Sequence, residues 1–107
     1  VPPTLNDKAL TERIMTVWSD HFGPGTVVSG ERLGMGAEDF PVFTADPYIP
    51  SLYFAVGGTP AADFARERAG CKPVPSHHSP LFKIEPNASV TLGVEAAVTA
   101  LLALLSD

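Results

Sequence analysis

The sequence has little cysteine, little basic charge and none of the common short catalytic fingerprints. Cys71 is the single cysteine in 107 residues. This excludes a disulfide within the chain and is typical of a reducing compartment, so we expect a cytoplasmic protein. Seven Lys and Arg stand against twelve Asp and Glu, for a net charge of −5, and the basic residues form no cluster. Nucleic acid and anionic membranes are therefore not expected as partners. No P-loop, dinucleotide-binding, GxSxG, HExxH or CxxC motif occurs.

The composition is that of a small folded protein with many loops. Apolar residues make up 45% of the chain and charged residues 18%, which excludes a disordered chain. The 11 prolines and 9 glycines are numerous for a compact helical domain. A length of 107 residues allows one small domain and leaves little room for a second.

The clearest local pattern predicts an amphipathic helix over residues 7–22. Apolar side chains recur at helical spacing from Leu10 to Trp18. Asn6 is the predicted N-cap, and Gly23 followed by a proline predicts the end. The other predicted elements are a strand at 25–33, a glycine-hinged turn at 34–40 leading into a helical turn near 38–43, a loop at 46–50, a strand at 51–56, a short helix at 61–69 and a loop at 71–80.

The last segment, Val90–Leu105, is predicted to be a helix that is apolar on almost every side. Its polar side chains are Thr91, Glu95 and Thr99, spaced by four, and Asn87 or Ser89 is the predicted cap. A membrane span is disfavoured because sixteen residues with a central glutamate fall short of the ~20 that a bilayer core needs. A helix of this kind is normally buried in a large domain. We therefore expect the 107 residues to be part of something larger.

Three residue pairs are candidates for a functional site, and each has an ordinary structural interpretation. His77 and His78 lie in a proline-rich loop, and neutral imidazole is the commonest metal ligand. A solvated pair is nevertheless favoured locally, because a zinc site needs three or four ligands. The carboxylates at 38 and 39 either line a site or sit at a helix start. Gly57 and Gly58 either admit a close approach to the backbone or form a turn.

Four motifs, taken together and in order, resemble the C-terminal segment of a family of metal-dependent amidohydrolases. The family is that of hippurate hydrolases and indole-3-acetyl-amino-acid hydrolases, relatives of the zinc carboxypeptidases and aminoacylases. The motifs are Pro2-Pro3-Thr4-Leu5-Asn6, Met35-Gly36-Ala37-Glu38-Asp39-Phe40, Tyr53-Phe54-Ala55-Val56-Gly57-Gly58 and His78-Ser79-Pro80-Leu81-Phe82. Any one motif is weak, whereas the four in register span nearly the whole chain.

The resemblance implies site residues and a cofactor. His78 would be a metal ligand, whereas His77 would be a neighbour without a metal role. Glu38, Asp39 and the two glycines would lie near the catalytic cleft. The cofactor would be a divalent metal pair (Zn, Mn, Co or Ni) that activates a water molecule for attack on an amide. The general base and the other ligands would come from an N-terminal segment, so no catalytic residue is expected in this chain.

The resemblance also implies an architecture and partners. The fold would be α/β, a partial three-layer sandwich of the zinc-exopeptidase type. Residues 1–6 would end a lid domain and residues 7–107 would form the C-terminal portion of the catalytic domain. The substrate would be an N-acyl amino acid, and the partners the N-terminal catalytic segment and lid, with a homodimer left open. The alternatives are a dipeptidase or aminoacylase of the same superfamily, or a non-catalytic fragment that self-associates through its last helix.

Overall fold

The computed structural model describes residues 3–28, 39–71, 73–75 and 79–106. Their helical elements, in chain order, are α1 (Lys8–Phe22), a 3-10 helix (Phe40–Phe43), α2 (Ala61–Arg68) and α3 (Pro86–Leu105). The chain divides into two compact units. The first unit comprises Val1–Phe54 and Ala96–Asp107, and the second comprises Ala55–Glu95. Helix α3 therefore contributes residues to both units.

The predicted three-layer α/β sandwich is wrong, because the described residues contain no strand and no sheet. The segment 51–56, the best predicted strand, is neither helix nor strand. A strand needs a ladder of hydrogen bonds to a neighbouring strand. The backbone of this segment bonds to the start of α1 instead: Asp7 N–H donates to Ser51 O at 2.9 Å, and Tyr53 N–H donates to Asn6 Oδ1 at 2.8 Å. An apolar β-branched and aromatic run therefore did not suffice to predict a sheet.

The second predicted strand, 25–33, lies mostly outside the described residues. Of its described part, residues 25–27 form a turn and a bend, and residue 28 belongs to no element. The predicted helical turn near 38–43 is found as the 3-10 helix Phe40–Phe43. The predicted loop at 46–50 is confirmed as a non-helical stretch with a cis Asp46–Pro47 peptide and a single antiparallel bridge between Ala45 and Tyr48.

Helix α1 confirms the predicted span and corrects its cap. The N-cap is Asp7 rather than Asn6, and its carboxylate accepts the backbone N–H of Leu10 at 3.0 Å. At the other end Gly23 has φ +92°, a conformation that favours glycine, and its N–H donates to Ser19 O at 2.9 Å. The helix therefore ends where the glycine predicts.

The core of the first unit is small and is built around one face of α1. Ile14 is 1% exposed, and it clusters with Trp18 and Ala96. The indole Nε1–H of Trp18 donates to Ala96 O at 2.9 Å. The indole ring also meets Phe54 edge-on, with centroids 4.7 Å apart. The apolar ring of Trp18 is thus buried, and its indole N–H has a hydrogen-bond acceptor.

Helix α2 lies in the second unit and agrees with the predicted short helix at 61–69. Its one buried residue is charged: Asp63, in the first turn, pairs with the guanidinium of Arg66 and lies 3.4 Å from Lys83 Nζ. An acidic residue in the first turn also suits the helix dipole.

Helix α3 begins four residues earlier than predicted. Pro86 occupies its first position, where the missing N–H costs nothing, and Ser89 lies inside the helix with its Oγ bonded to Glu85 O at 2.6 Å. Asn87 is likewise inside, so neither predicted cap is correct. By length and composition α3 could cross a membrane, with a hydropathy of 1.9 over its most apolar window. A core helix of a soluble protein has the same composition, so this property alone does not decide between the two.

Candidate functional site

Three of the six predicted site residues lie outside the described part of the chain. These are His78, the predicted ligand, His77 beside it and Glu38 in the acidic turn. The metal role of His78 therefore stays a prediction. Asp39, Gly57 and Gly58 are described, as are the residues that flank the histidine pair. The surroundings of the predicted site can thus be built from these neighbours.

Asp39 ends the acidic turn and leads into the 3-10 helix of the first unit. It is exposed, and its backbone carbonyl accepts the N–H of Val42 at 3.0 Å. The next residue, Phe40, places its ring 5.2 Å from the ring of Tyr53 at an angle of 47°. This aromatic pair joins Phe40, the last residue of the MGAEDF motif, to Tyr53 of the YFAVGG motif.

The PPTLN segment also contacts Tyr53, through the side chain of Asn6. The side-chain amide of Asn6 accepts the backbone N–H of Tyr53 at 2.8 Å and donates to the carbonyl of Tyr53 at 3.2 Å. One amide thus satisfies both backbone groups of Tyr53. In the first unit, three of the four motifs therefore meet at Tyr53.

Gly58, in the second unit, contacts two residues that follow the fourth motif in the sequence. A Cβ atom placed on Gly58 would lie 2.8 Å from Ile84 Cγ2, closer than real side chains approach. The carbonyl of Gly58 also accepts the backbone N–H of Glu85 at 2.6 Å. By contrast, a Cβ atom on Gly57 meets no described atom within 4 Å. Of the two predicted glycines, Gly58 is thus the one at a close backbone approach.

The residues directly after His78 form a turn. Ser79 Oγ accepts the N–H of Leu81 at 3.1 Å, and Ser79 O accepts the N–H of Phe82 at 3.1 Å. Such bonds are typical of serine at turns. After this turn the chain is held at residues 83–85 by the contacts to Asp63 and Gly58. The exit of the histidine loop is therefore fixed within a few residues of His78.

The carboxylate of Asp63 pairs with two cationic side chains, Arg66 and Lys83. The hydrogen bond from Arg66 is the main cause that holds the pKa of this carboxyl below its ordinary value of 3.8; burial opposes the shift, and the ammonium of Lys83 reinforces it. A carboxylate placed between a guanidinium and an ammonium is poorly suited to bind a metal cation, because the two charges repel it. We therefore assign Asp63 no metal role; it pairs with Lys83, which follows the histidine loop in the sequence.

The described residues do not by themselves make a metal site. They contain no group of three His, Cys, Asp or Glu side chains that could hold an ion, and zinc sites in proteins use three or four ligands. An open hollow of about 250 Å³ is lined by Glu67, Gly70, Cys71 and Pro73. Its glutamate already accepts the backbone N–H of Val74. We derive no reaction step through a metal from these residues.

Two contacts that organise this region were missed in the sequence. The Asp63–Arg66 pair has the i, i+3 spacing of helix ion pairs, which is a detectable signal. The clamp between Asn6 and Tyr53 joins residues 47 positions apart, and local patterns carry no signal for it.

Comparisons with models of protein families, with curated proteins and with solved structures found no match. The resemblance thus rests on the four sequence motifs alone.

Proposed function

We propose that this chain is the C-terminal part of a metal-dependent amidohydrolase that cleaves the amide bond of N-acyl amino acids. The observation that carries the proposal is the contact at Gly58. It places Gly58 of one motif against Ile84 and Glu85, which follow the histidine-containing motif in the sequence. This contact supports the proposal because it places the YFAVGG motif next to the chain that follows the predicted ligand.

The proposal gives the residues of the four motifs distinct tasks. His78 is a ligand of one metal ion, and the remaining ligands and the general base come from an N-terminal segment of the enzyme. The contacts of Gly58 and Asp63 hold the loop in position. A ligand that lacks such support loses metal affinity, because the imidazole must be presented in one orientation. Asp39 and Glu38 lie at the edge of the cleft in this proposal.

The test compares the two adjacent histidines in the enzyme that contains this segment. We expect His78→Ala to lower kcat/KM for an N-acyl amino acid such as N-benzoylglycine by at least about 100-fold, and to lower the metal content of the purified protein. His77→Ala is the matched control, and its kcat/KM should stay within about twofold of the unsubstituted enzyme.

The isolated 107-residue chain provides a second arm. One imidazole cannot hold a metal pair, so calorimetric titration with Zn²⁺ or Mn²⁺ should show no tight stoichiometric binding. Tight binding by the chain alone would contradict the proposed division of ligands. Equal losses from the two histidine variants would contradict the assignment of His78.

A further inference from the structure

We draw no further inference here: the strongest candidate, the stripe of exposed valine and leucine side chains along α3, is an unpartnered apolar face, and nothing in the part of the chain that the structure describes shows what covers it.

Discussion

The two compact units are held together by different kinds of contact. In the first unit, Ile14, Trp18 and Ala96 form an apolar cluster with a buried indole hydrogen bond. In the second unit, the buried side chain is the carboxylate of Asp63, and the close packing is that of Ile84 on a glycine. Among the described residues, every buried hydrophobic side chain belongs to the first unit.

This difference shows how unevenly the chain is stabilised. Burial of large apolar side chains supplies most of the free energy of folding, whereas ion pairs with solvent-exposed partners supply little. Arg66 and Lys83 are both more than half exposed. The second unit contains the surroundings of the proposed metal ligand and therefore depends on backbone geometry, while the first unit depends on its core. Substitutions of core residues in the first unit should therefore lower the free energy of unfolding more than substitutions in the second unit.

The largest expected effect is that of Trp18→Ala in the first unit. The substitution removes a buried aromatic side chain, its hydrogen bond to Ala96 and its edge contact with Phe54. We expect the free energy of unfolding to fall by about 3–5 kcal/mol. Urea denaturation followed by circular dichroism measures it.

Val17→Ala is the matched control for Trp18→Ala, because Val17 is the preceding residue of α1 and is only half-buried. Its loss should cost about 1 kcal/mol. If both substitutions cost the same, the cluster around Trp18 is not the main source of stability in the first unit.

A smaller effect is expected from Gly58→Ala in the second unit. The new Cβ atom would lie 2.8 Å from Ile84 Cγ2 and 3.3 Å from Ile84 Cβ, so the Ile84 side chain must shift. We expect a cost of about 1–3 kcal/mol in the free energy of unfolding.

Gly57→Ala provides the comparison for Gly58→Ala, since its Cβ atom meets no described neighbour within 4 Å. It should change the free energy of unfolding by less than about 0.5 kcal/mol. In the enzyme that contains this segment, Gly58→Ala should also lower metal content, while Gly57→Ala should not. Equal costs at the two positions would remove the packing contact on which the proposed function rests.

The helices were predictable from sequence, but the packing was not. Helix α1 carries a periodic apolar stripe, a capping carboxylate and a terminal glycine, so its limits follow from local rules. The segment 51–56 has the composition of a strand, yet strand formation needs a partner that local composition cannot supply. The prediction of a three-layer sandwich from the resemblance is wrong because this segment forms no strand. Helix α3 shows a related limit, because a helix that is apolar on every side carries no signal for which side is buried.

The candidate site was predictable only in part. Gly57 and Gly58 were equivalent in sequence, and the position of Ile84 distinguishes them. The clamp between Asn6 and Tyr53 replaces the cap predicted for Asn6, because an amide can either cap a helix or pair with a distant backbone, and local sequence favours neither. The metal role of His78 remains a prediction from the motifs alone.

The smallest effects concern two carboxylates, one in each unit. A hydrogen bond from the Tyr48 hydroxyl is the main cause that lowers the pKa of Asp7, and one from the Arg66 guanidinium is the main cause that lowers the pKa of Asp63. A carboxyl whose pKa is lowered by folding stabilises the folded state when ionised. Its contribution is therefore complete above the ordinary pKa of 3.8 and is lost as the pH falls below that value toward the folded pKa.

Two substitutions, read out at both carboxylates, test these causes separately. We expect NMR titration of the carboxyl carbons to show that Arg66→Gln raises the titration midpoint of Asp63 and leaves that of Asp7 unchanged. Tyr48→Phe should raise the titration midpoint of Asp7 and leave that of Asp63 unchanged. Each substitution removes the main partner of one carboxylate and serves as the control for the other. If Arg66→Gln does not move the midpoint of Asp63, the ion pair does not stabilise its ionised form.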